Sequence, residues 1–234
     1  MTDDFEQAIQ QLIDRIDPGV REKVLHDLRE LRKSGVSSWQ DLVAALEDAS
    51  VAENRTRACW LLARLQDPRA FDHLVSALHD PDPRLRQEAA RSLGVLADRR
   101  AVPELLAALQ TDLDLETRVA AAYALGLLGD HRSVDALLAT MADRNEDPRI
   151  RGMAAEALTG VQERRAVPYL IAALDDPSVE VRFWAVFALG QFGDPAALGA
   201  LERLAQTDDA VLPGWRSVKE EAAAAIKSIT AASA

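Results

Sequence analysis

Seven times along this chain a cationic residue is followed, seven positions later, by Leu or Ile within a stretch rich in small residues. The cations are Arg21, Arg55, Arg86, Arg118, Arg151, Arg182 and Lys219; their partners are Leu28, Leu62, Leu93, Leu125, Leu158, Leu189 and Ile226. Successive cations lie 34, 31, 32, 33, 31 and 37 residues apart, which is the period of a helix–turn–helix repeat. One such hairpin cannot bury its apolar face alone, so the period commits the chain to stacking. The sequence therefore predicts an all-α fold, an α-solenoid of about six to seven two-helix repeats.

The repeat covers nearly all of the 234 residues, which predicts one elongated domain. Residues 1–16 carry Phe5, Ile9, Leu12, Ile13 and Ile16 at helical spacing and read as an N-terminal capping helix. Residues 17–206 hold the repeats, and 207–234 an atypical last copy and tail, set off by the insertion TDDAVLPGWRS at 207–217. Asp-Pro at 82–83, 147–148 and 176–177 suits the opening of a first helix, with aspartate as cap and proline in the first turn. Asp67, Asp98, Asp130, Glu163 and Asp194 each stand twelve residues after a cation. An acid at every inter-helix turn predicts a ladder of charge-assisted bonds to the repeated arginines.

Setting every copy on one register separates core from surface. At about 100° per residue, positions three, four, seven and ten from the cation share one side. They hold Ala89, Ala90, Leu93 and Leu96 in one copy, and Ala185, Val186, Leu189 and Phe192 in another. Positions two, five and nine point the other way, with position one on the flank. Position two holds Arg57, Glu88, Ala120, Met153 and Trp184; position five holds Trp60, Arg91, Tyr123, Glu156 and Phe187; the flank adds Phe183. A face that is polar in some copies cannot be core in all, so its aromatics are candidates for exposure and for partner binding. The candidate wall is Arg57, Trp60, Glu88, Arg91, Tyr123, Met153, Glu156, Phe183, Trp184 and Phe187. The competing reading packs Trp184 and Phe187 under the 207–217 insertion, whose own apolar residues are Val211, Leu212 and Trp215.

Composition narrows the function classes. A formal net charge of −11 argues against a nucleic-acid partner, which needs a basic stripe. Cys59, the one cysteine, rules out an internal disulfide, and it fills a slot held elsewhere by Ala90, Ala122, Ala155 and Val186. That slot predicts a buried small hydrophobe. The start, MTDDFEQAIQ, is too polar for a signal peptide, and no apolar run reaches the length of a membrane span. A cytoplasmic protein is expected.

At this point the copies resemble a known family. DPDPRLRQEAARSLGVLADRRAVPELLAAL and LETRVAAAYALGLLGDHRSVDALLATM are similar to the HEAT-like repeats of the phycobilisome lyase family, over roughly residues 17–230. The resemblance implies a right-handed superhelix whose concave face is lined by the helix carrying the RxxAAxAL run. It also implies functions ranging over bilin lyases that act as pairs, phycobilisome degradation factors and protein-binding scaffolds.

The chain carries little sign of catalysis. Helical-repeat deoxyhypusine hydroxylases use His-Glu pairs to bind two irons, whereas none of His26, His73, His79 and His131 is followed by Glu. No metal site or cofactor is therefore expected. Gly94, Gly126 and Gly190 occur singly within helices, where close packing explains them better than a phosphate loop. The leading expectation is a non-catalytic scaffold that binds a protein or peptide on its concave face. The alternative is a tetrapyrrole-handling protein, a phycobilin lyase subunit or detachment factor.

Overall fold

The computed structural model describes residues 2–232. Among them are fourteen α-helices joined by short turns, and the one extended pairing is an isolated bridge between Val211 and Ser217. The chain divides into two compact units, Met1–Glu104 and Leu105–Ala234.

The first unit contains α1 (Thr2–Arg15), α2 (Pro18–Lys33), α3 (Trp39–Glu47), α4 (Ala52–Arg64), α5 (Ala70–Leu78) and α6 (Pro83–Leu96). The first helices α2, α4 and α6 lie side by side, with α3 packed on α4 and α5 on α6. Helix α1 buries Phe5, Ile9 and Leu12, and Arg32 of α2 ties it down through Glu6 at 2.7 Å. Helix α7 (Val102–Thr111) runs across the boundary. The second unit continues with α8 (Leu115–Leu128), α9 (Val134–Ala142), α10 (Pro148–Val161), α11 (Val167–Ala173), α12 (Val179–Phe192), α13 (Leu198–Thr207) and α14 (Val218–Ala232). Here α8, α10, α12 and α14 are successive neighbours, and α9, α11 and α13 back them.

The predicted core register holds. Ala89, Ala90, Leu93 and Leu96 are buried, as are Ala121, Ala122, Leu125 and Leu128, and Ala185, Val186, Leu189 and Phe192. Small residues at two of the four slots let the helix backbones approach closely. The approach is tightest between α8 and α10, where a Cβ built on Gly160 would lie 1.9 Å from the Gly126 carbonyl oxygen.

One turn recurs after every regular first helix. The residue eleven positions from the cation is left-handed: Gln66, Ala97, Gly129, Gln162 and Gly193 have φ of 57°, 59°, 56°, 55° and 65°. The acid that follows caps the next short turn. Asp67 accepts from the Arg69 amide at 2.9 Å, Asp98 from Arg100 at 2.9 Å, Asp130 from Arg132 at 3.0 Å and Asp194 from Ala196 at 3.0 Å. Glu163 does the same more loosely for Arg165, at 3.4 Å.

This corrects the expected ladder. Those acids are held by local capping, and the repeated arginines reach acids in the loop after the second helix instead. Arg55 binds Asp80, Arg118 binds Glu146, Arg151 binds Asp176 at 2.6 and 3.1 Å, and Arg182 binds Asp208 at 2.6 and 3.2 Å. Two of them also close the C-terminal end of the preceding helix: Arg55 Nε donates to the Leu46 carbonyl and Arg118 Nε to Leu109, both at 2.8 Å. A planar five-donor guanidinium can pair bidentately with the carboxylate while its Nε reaches the carbonyl, a fork geometry that a lysine ammonium lacks. Asp176–Pro177 likewise departs from expectation. Asp82 and Asp147 stand four residues before Arg86 and Arg151 and cap α6 and α10, whereas Asp176 stands six before Arg182, holds Arg151 as Asp80 holds Arg55, and leaves Ser178 to precede α12 at Val179.

Candidate functional site

The outward slots carry different chemistry in the two units. In the first, Trp60 on α4 is 7% exposed, so the expectation that it stands in solvent fails. Lys23 Nζ sits 4.3 Å from its ring centroid and the Arg64 guanidinium 3.9 Å, so cations cover an aromatic face that apolar neighbours leave open. Lys23 also binds Asp27 at 2.6 Å, and the buried Asp27 carboxylate faces Arg57 at 3.5 Å. Arg57 is held further by Glu53 and by Asn54 at 3.2 Å. Glu88, on α6, is half-buried; desolvation pushes its carboxyl above the usual range against the pull of Arg91, Arg64 and Lys23. Arg91 is exposed.

Also in this unit, Cys59 is fully buried, and burial pushes its thiol far above the ordinary range. Its sulfur lies 3.8 Å from Ser92 Oγ. That is an inert packing position, as its slot implied.

In the second unit the wall splits into an open cleft and a closed cluster. The cleft, about 140 Å³, lies between α8 and α10 and is lined by Tyr123, Leu127, Met153, Glu156 and Thr159, with Gly126, Ala157 and Gly160 as its floor. It forms because the two backbones touch at the glycines while longer side chains rise on either side. Tyr123 is 40% exposed, Leu127 is exposed, and Met153 and Glu156 are half-buried. Burial pushes the Glu156 carboxyl up.

The closed cluster corrects the wall at Phe183 and Trp184. Phe183 is fully buried and Trp184 is 8% exposed, while Phe187 is half-buried. Trp215 of the insertion lies 5.1 Å from the Trp184 ring and 5.6 Å from Phe183. The Trp184 ring also meets Phe183 at 5.3 Å and Phe187 at 5.6 Å, both edge to face. The competing reading of these residues is the one the geometry supports: the insertion folds back and covers them. It turns at Gly214 (φ 85°), is closed by the Val211–Ser217 bridge, and leaves Trp215 itself 54% exposed. Trp184 rests on Gly152, where a Cβ would come within 2.8 Å of its ring. The outward slot at 152 is glycine because the next helix lays an indole over it.

Sequence reasoning placed these residues on one wall; the structure groups Arg57, Trp60 and Glu88 around Lys23 in the first unit, and Tyr123, Met153 and Glu156 around the cleft in the second. Sequence reasoning missed Lys23, Asp27, Arg64, Leu127 and Gly160. Three of these could have been found, since Arg64, Leu127 and Gly160 all stand at position nine, which the register already turned outward. Lys23 and Asp27 belong to the irregular first copy, where the register gives less guidance. The described residues bring together no group of three or more His, Cys, Asp or Glu side chains able to hold a metal ion. No helix among them is long and apolar enough to cross a membrane.

Helical hairpins repeated at this period, with an arginine rung and a left-handed turn in each, define an all-α helical-repeat protein. The chain belongs to the HEAT-repeat family, whose model matches residues 5–94, 71–147 and 138–227. The fold is shared with the X-ray structure of YIBA_ECOLI, at TM-score 0.58 and 19% identity over 96% of this chain and 82% of that one. Among curated proteins, the chain is 40% identical over 157 residues to phycocyanobilin lyase subunit alpha of Pseudanabaena tenuis, covering 60% of this chain and 58% of the relative. It is also 37% identical over 136 residues to deoxyhypusine hydroxylase of Gallus gallus, covering 58% of this chain and 35% of that protein. The chain thus spans little more than half of the lyase subunit's length and about a third of the hydroxylase's. The lyase relative overturns the expectation of a non-catalytic scaffold: what the chain resembles over this stretch is a named subunit of a bilin lyase.

Proposed function

We propose that this chain is a subunit of a tetrapyrrole-handling protein of the phycobilin lyase type, acting with a second subunit on phycocyanobilin. The observation that carries the reading is the 40% identity over 157 residues to phycocyanobilin lyase subunit alpha. The hydroxylase match is weaker support for its own activity, because it reaches 35% of that protein and this chain has no His-Glu pair.

The chemistry of the outward slots fits a bilin. A linear tetrapyrrole is a flat conjugated body with apolar faces, a row of ring nitrogens and two propionates. Tyr123, Leu127 and Met153 offer apolar and aromatic surface for one of its rings, and Glu156 an acceptor for ring N–H groups.

The test is a titration of phycocyanobilin into the purified protein, alone and with a candidate second lyase subunit. A red-shifted and intensified long-wavelength band is expected in at least one of the two mixtures. A spectrum identical to that of the free pigment in both would end this reading.

A further inference from the structure

Helices α1 and α2 form an antiparallel hairpin, in which Glu6 near the start of α1 pairs with Arg32 near the end of α2. Between them lies an open groove of about 570 Å³. Its α1 wall is Glu6, Ile9, Gln10 and Ile13. Its α2 wall is Leu25, Leu28, Arg29 and Arg32, with Lys33 at one end. Both walls are spaced i, i+3, i+4, i+7, so each helix turns one whole face toward the groove. Ile9 and Leu28 make the floor at 4% exposed, whereas Ile13 is half-buried and Leu25 is 41% exposed. Two helices meeting this way bury only part of their apolar faces, and the ridges of a third helix fit the groove they leave.

The charge around the groove is one-sided. Three cations and one acid line it, in a chain whose net charge is −11. Part of that charge serves the hairpin itself: Glu6 takes Arg32, and Glu30 takes Lys33 at 2.7 Å. Both cations also stand in the last turn of α2, where positive charge favours the helix dipole. Arg29 lies a turn earlier. It is exposed and has no ion pair or hydrogen bond among the described residues. Along α1 the polar members of the wall are Glu6 and Gln10, whose amide donates to Asp14 at 2.9 Å. The cationic rim is therefore on the α2 side alone. A flat membrane surface would meet these cations but could not enter the recess to reach Ile9 and Leu28; an amphipathic helix reaches both.

We infer that the α1–α2 groove is a docking site for an amphipathic helix of a partner protein, with its apolar face on Ile13, Leu25 and the floor and an acidic flank along Arg29 and Lys33. Recognition is then of the helix-in-groove kind, with apolar anchors for affinity and one charged edge for orientation. This goes beyond the pigment reading and does not depend on it, because the groove belongs to the first hairpin alone.

The experiment is selection against the full chain from a display library of helices about twenty residues long, with Leu or Ile at i, i+3, i+4 and i+7. The flanking positions are randomised over Glu, Gln and Lys. Enriched helices are expected to carry Glu along one flank and to bind Arg29→Glu about tenfold or more weaker than wild type. Leu25→Ala should weaken the same helices several-fold. Both residues are exposed, so both variants should fold, which circular dichroism and a melting curve check. Arg84→Glu, at an exposed arginine of α6 that does not line the groove, should bind as wild type does. Enrichment of lysine flanks, helices that bind wild type and Arg29→Glu alike, or no binder at all overturns the inference. So does co-sedimentation with phosphatidylglycerol vesicles, or a dimer in analytical ultracentrifugation, that is lost in Arg29→Glu and Leu25→Ala, since the groove would then belong to a membrane or to a second copy.

Discussion

Trp60 and Trp184 occupy outward slots in different units, and both end up nearly inaccessible, at 7% and 8% exposed. They reach that state by opposite means. Trp60 is covered by Lys23 and Arg64, which lay charge over a ring. Trp184 is covered by Phe183, Phe187 and Trp215, which lay edges against it. The arginine rungs do not divide by unit: Arg118–Glu146 and Arg182–Asp208 of the second unit keep 22% and 16%, and 17% and 10%, of their side-chain surfaces in water. The Arg55–Asp80 pair of the first unit keeps 14% and 12% of its side-chain surfaces in water, whereas Arg151–Asp176 of the second keeps 4% and 7%. Among these rungs Arg151–Asp176 is the dry one, and the others lie near solvent. A slot that points outward is therefore not a slot that is exposed; what lies over it depends on the neighbouring copy.

The rungs offer the largest test of this contrast. Asp176→Ala leaves the Arg151 guanidinium buried without a counter-charge, and Arg151 Nε already has no partner. The expected loss is about 3–5 kcal/mol by urea denaturation. Asp80→Ala, in the wetter rung, should cost about 1–2 kcal/mol, because water can reach the freed arginine. Equal losses would remove the distinction between the wet and the dry rung.

Acid sharpens the same comparison. Burial alone would raise the Asp176 carboxyl, but the Arg151 hydrogen bonds, the Ser178 amide and the Arg151 charge outweigh it and hold the group below its usual value. A carboxyl lowered on folding stabilises the protein above its unfolded pKa, and that contribution is lost as pH falls through the folded value. Stability should therefore fall as pH drops below about 4, and Asp176→Asn should flatten that limb. Glu88 and Glu156 act in the opposite sense. Both are raised, so their protonation on acidification relieves a strain and partly offsets the loss.

The tryptophan covers give a middle-sized effect. Trp215→Ala removes two ring contacts from the second unit and should cost about 1–3 kcal/mol. Lys23→Met keeps the aliphatic stem over Trp60 but removes the charge from the ring and from the buried Asp27, which Arg57 still faces, and should cost about 1–2 kcal/mol. Fluorine NMR of fluorotryptophan-labelled protein resolves each indole separately. Trp215→Ala should move the Trp184 line toward its solvent-exposed position and leave Trp60 unmoved, and Lys23→Met should do the reverse. A Trp184 line unaffected by Trp215→Ala would mean that the insertion does not shield it.

Much of this was legible in the repeat because the repeat reports its own register. The constant slots had to be core, and Ala89, Leu125 and Leu189 are fully buried. The charged half of the reading was harder. Asp98 and its equivalents were placed at the right turn and given the wrong partner, since a sequence shows an acid near a turn but not which donor is nearer. The local amide two residues on always lies within reach, while the repeated arginine must cross to a loop 25 to 28 residues later, as in Arg151–Asp176 and Arg118–Glu146. The wall was only partly legible for a related reason. Burial of Trp184 depends on an insertion found once, and a comparison among copies is blind to what only one copy has.

The smallest prediction turns on the residue where that blindness is absent. Every regular first helix ends in a left-handed residue, and two copies use glycine there, Gly129 and Gly193. Gln66, Ala97 and Gln162 adopt the same conformation with a Cβ, which is strained in that region. Gln66 and Gln162 gain something in return, because their side-chain amides donate to the Ala63 and Val95 carbonyls and to Thr159. Ala97 makes no side-chain bond, and its amide still donates to the Gly94 carbonyl at 3.2 Å whatever the side chain. Ala97→Gly should therefore stabilise the first unit by about 0.5–1 kcal/mol, the relief of strain exceeding the entropy of a freer unfolded chain. Gln66→Gly should be neutral or destabilising, because the turn conformation improves while two hydrogen bonds are lost. Thermal unfolding of the two variants separates the contributions. A lower melting temperature for Ala97→Gly would show that the left-handed turn in this copy is not under strain.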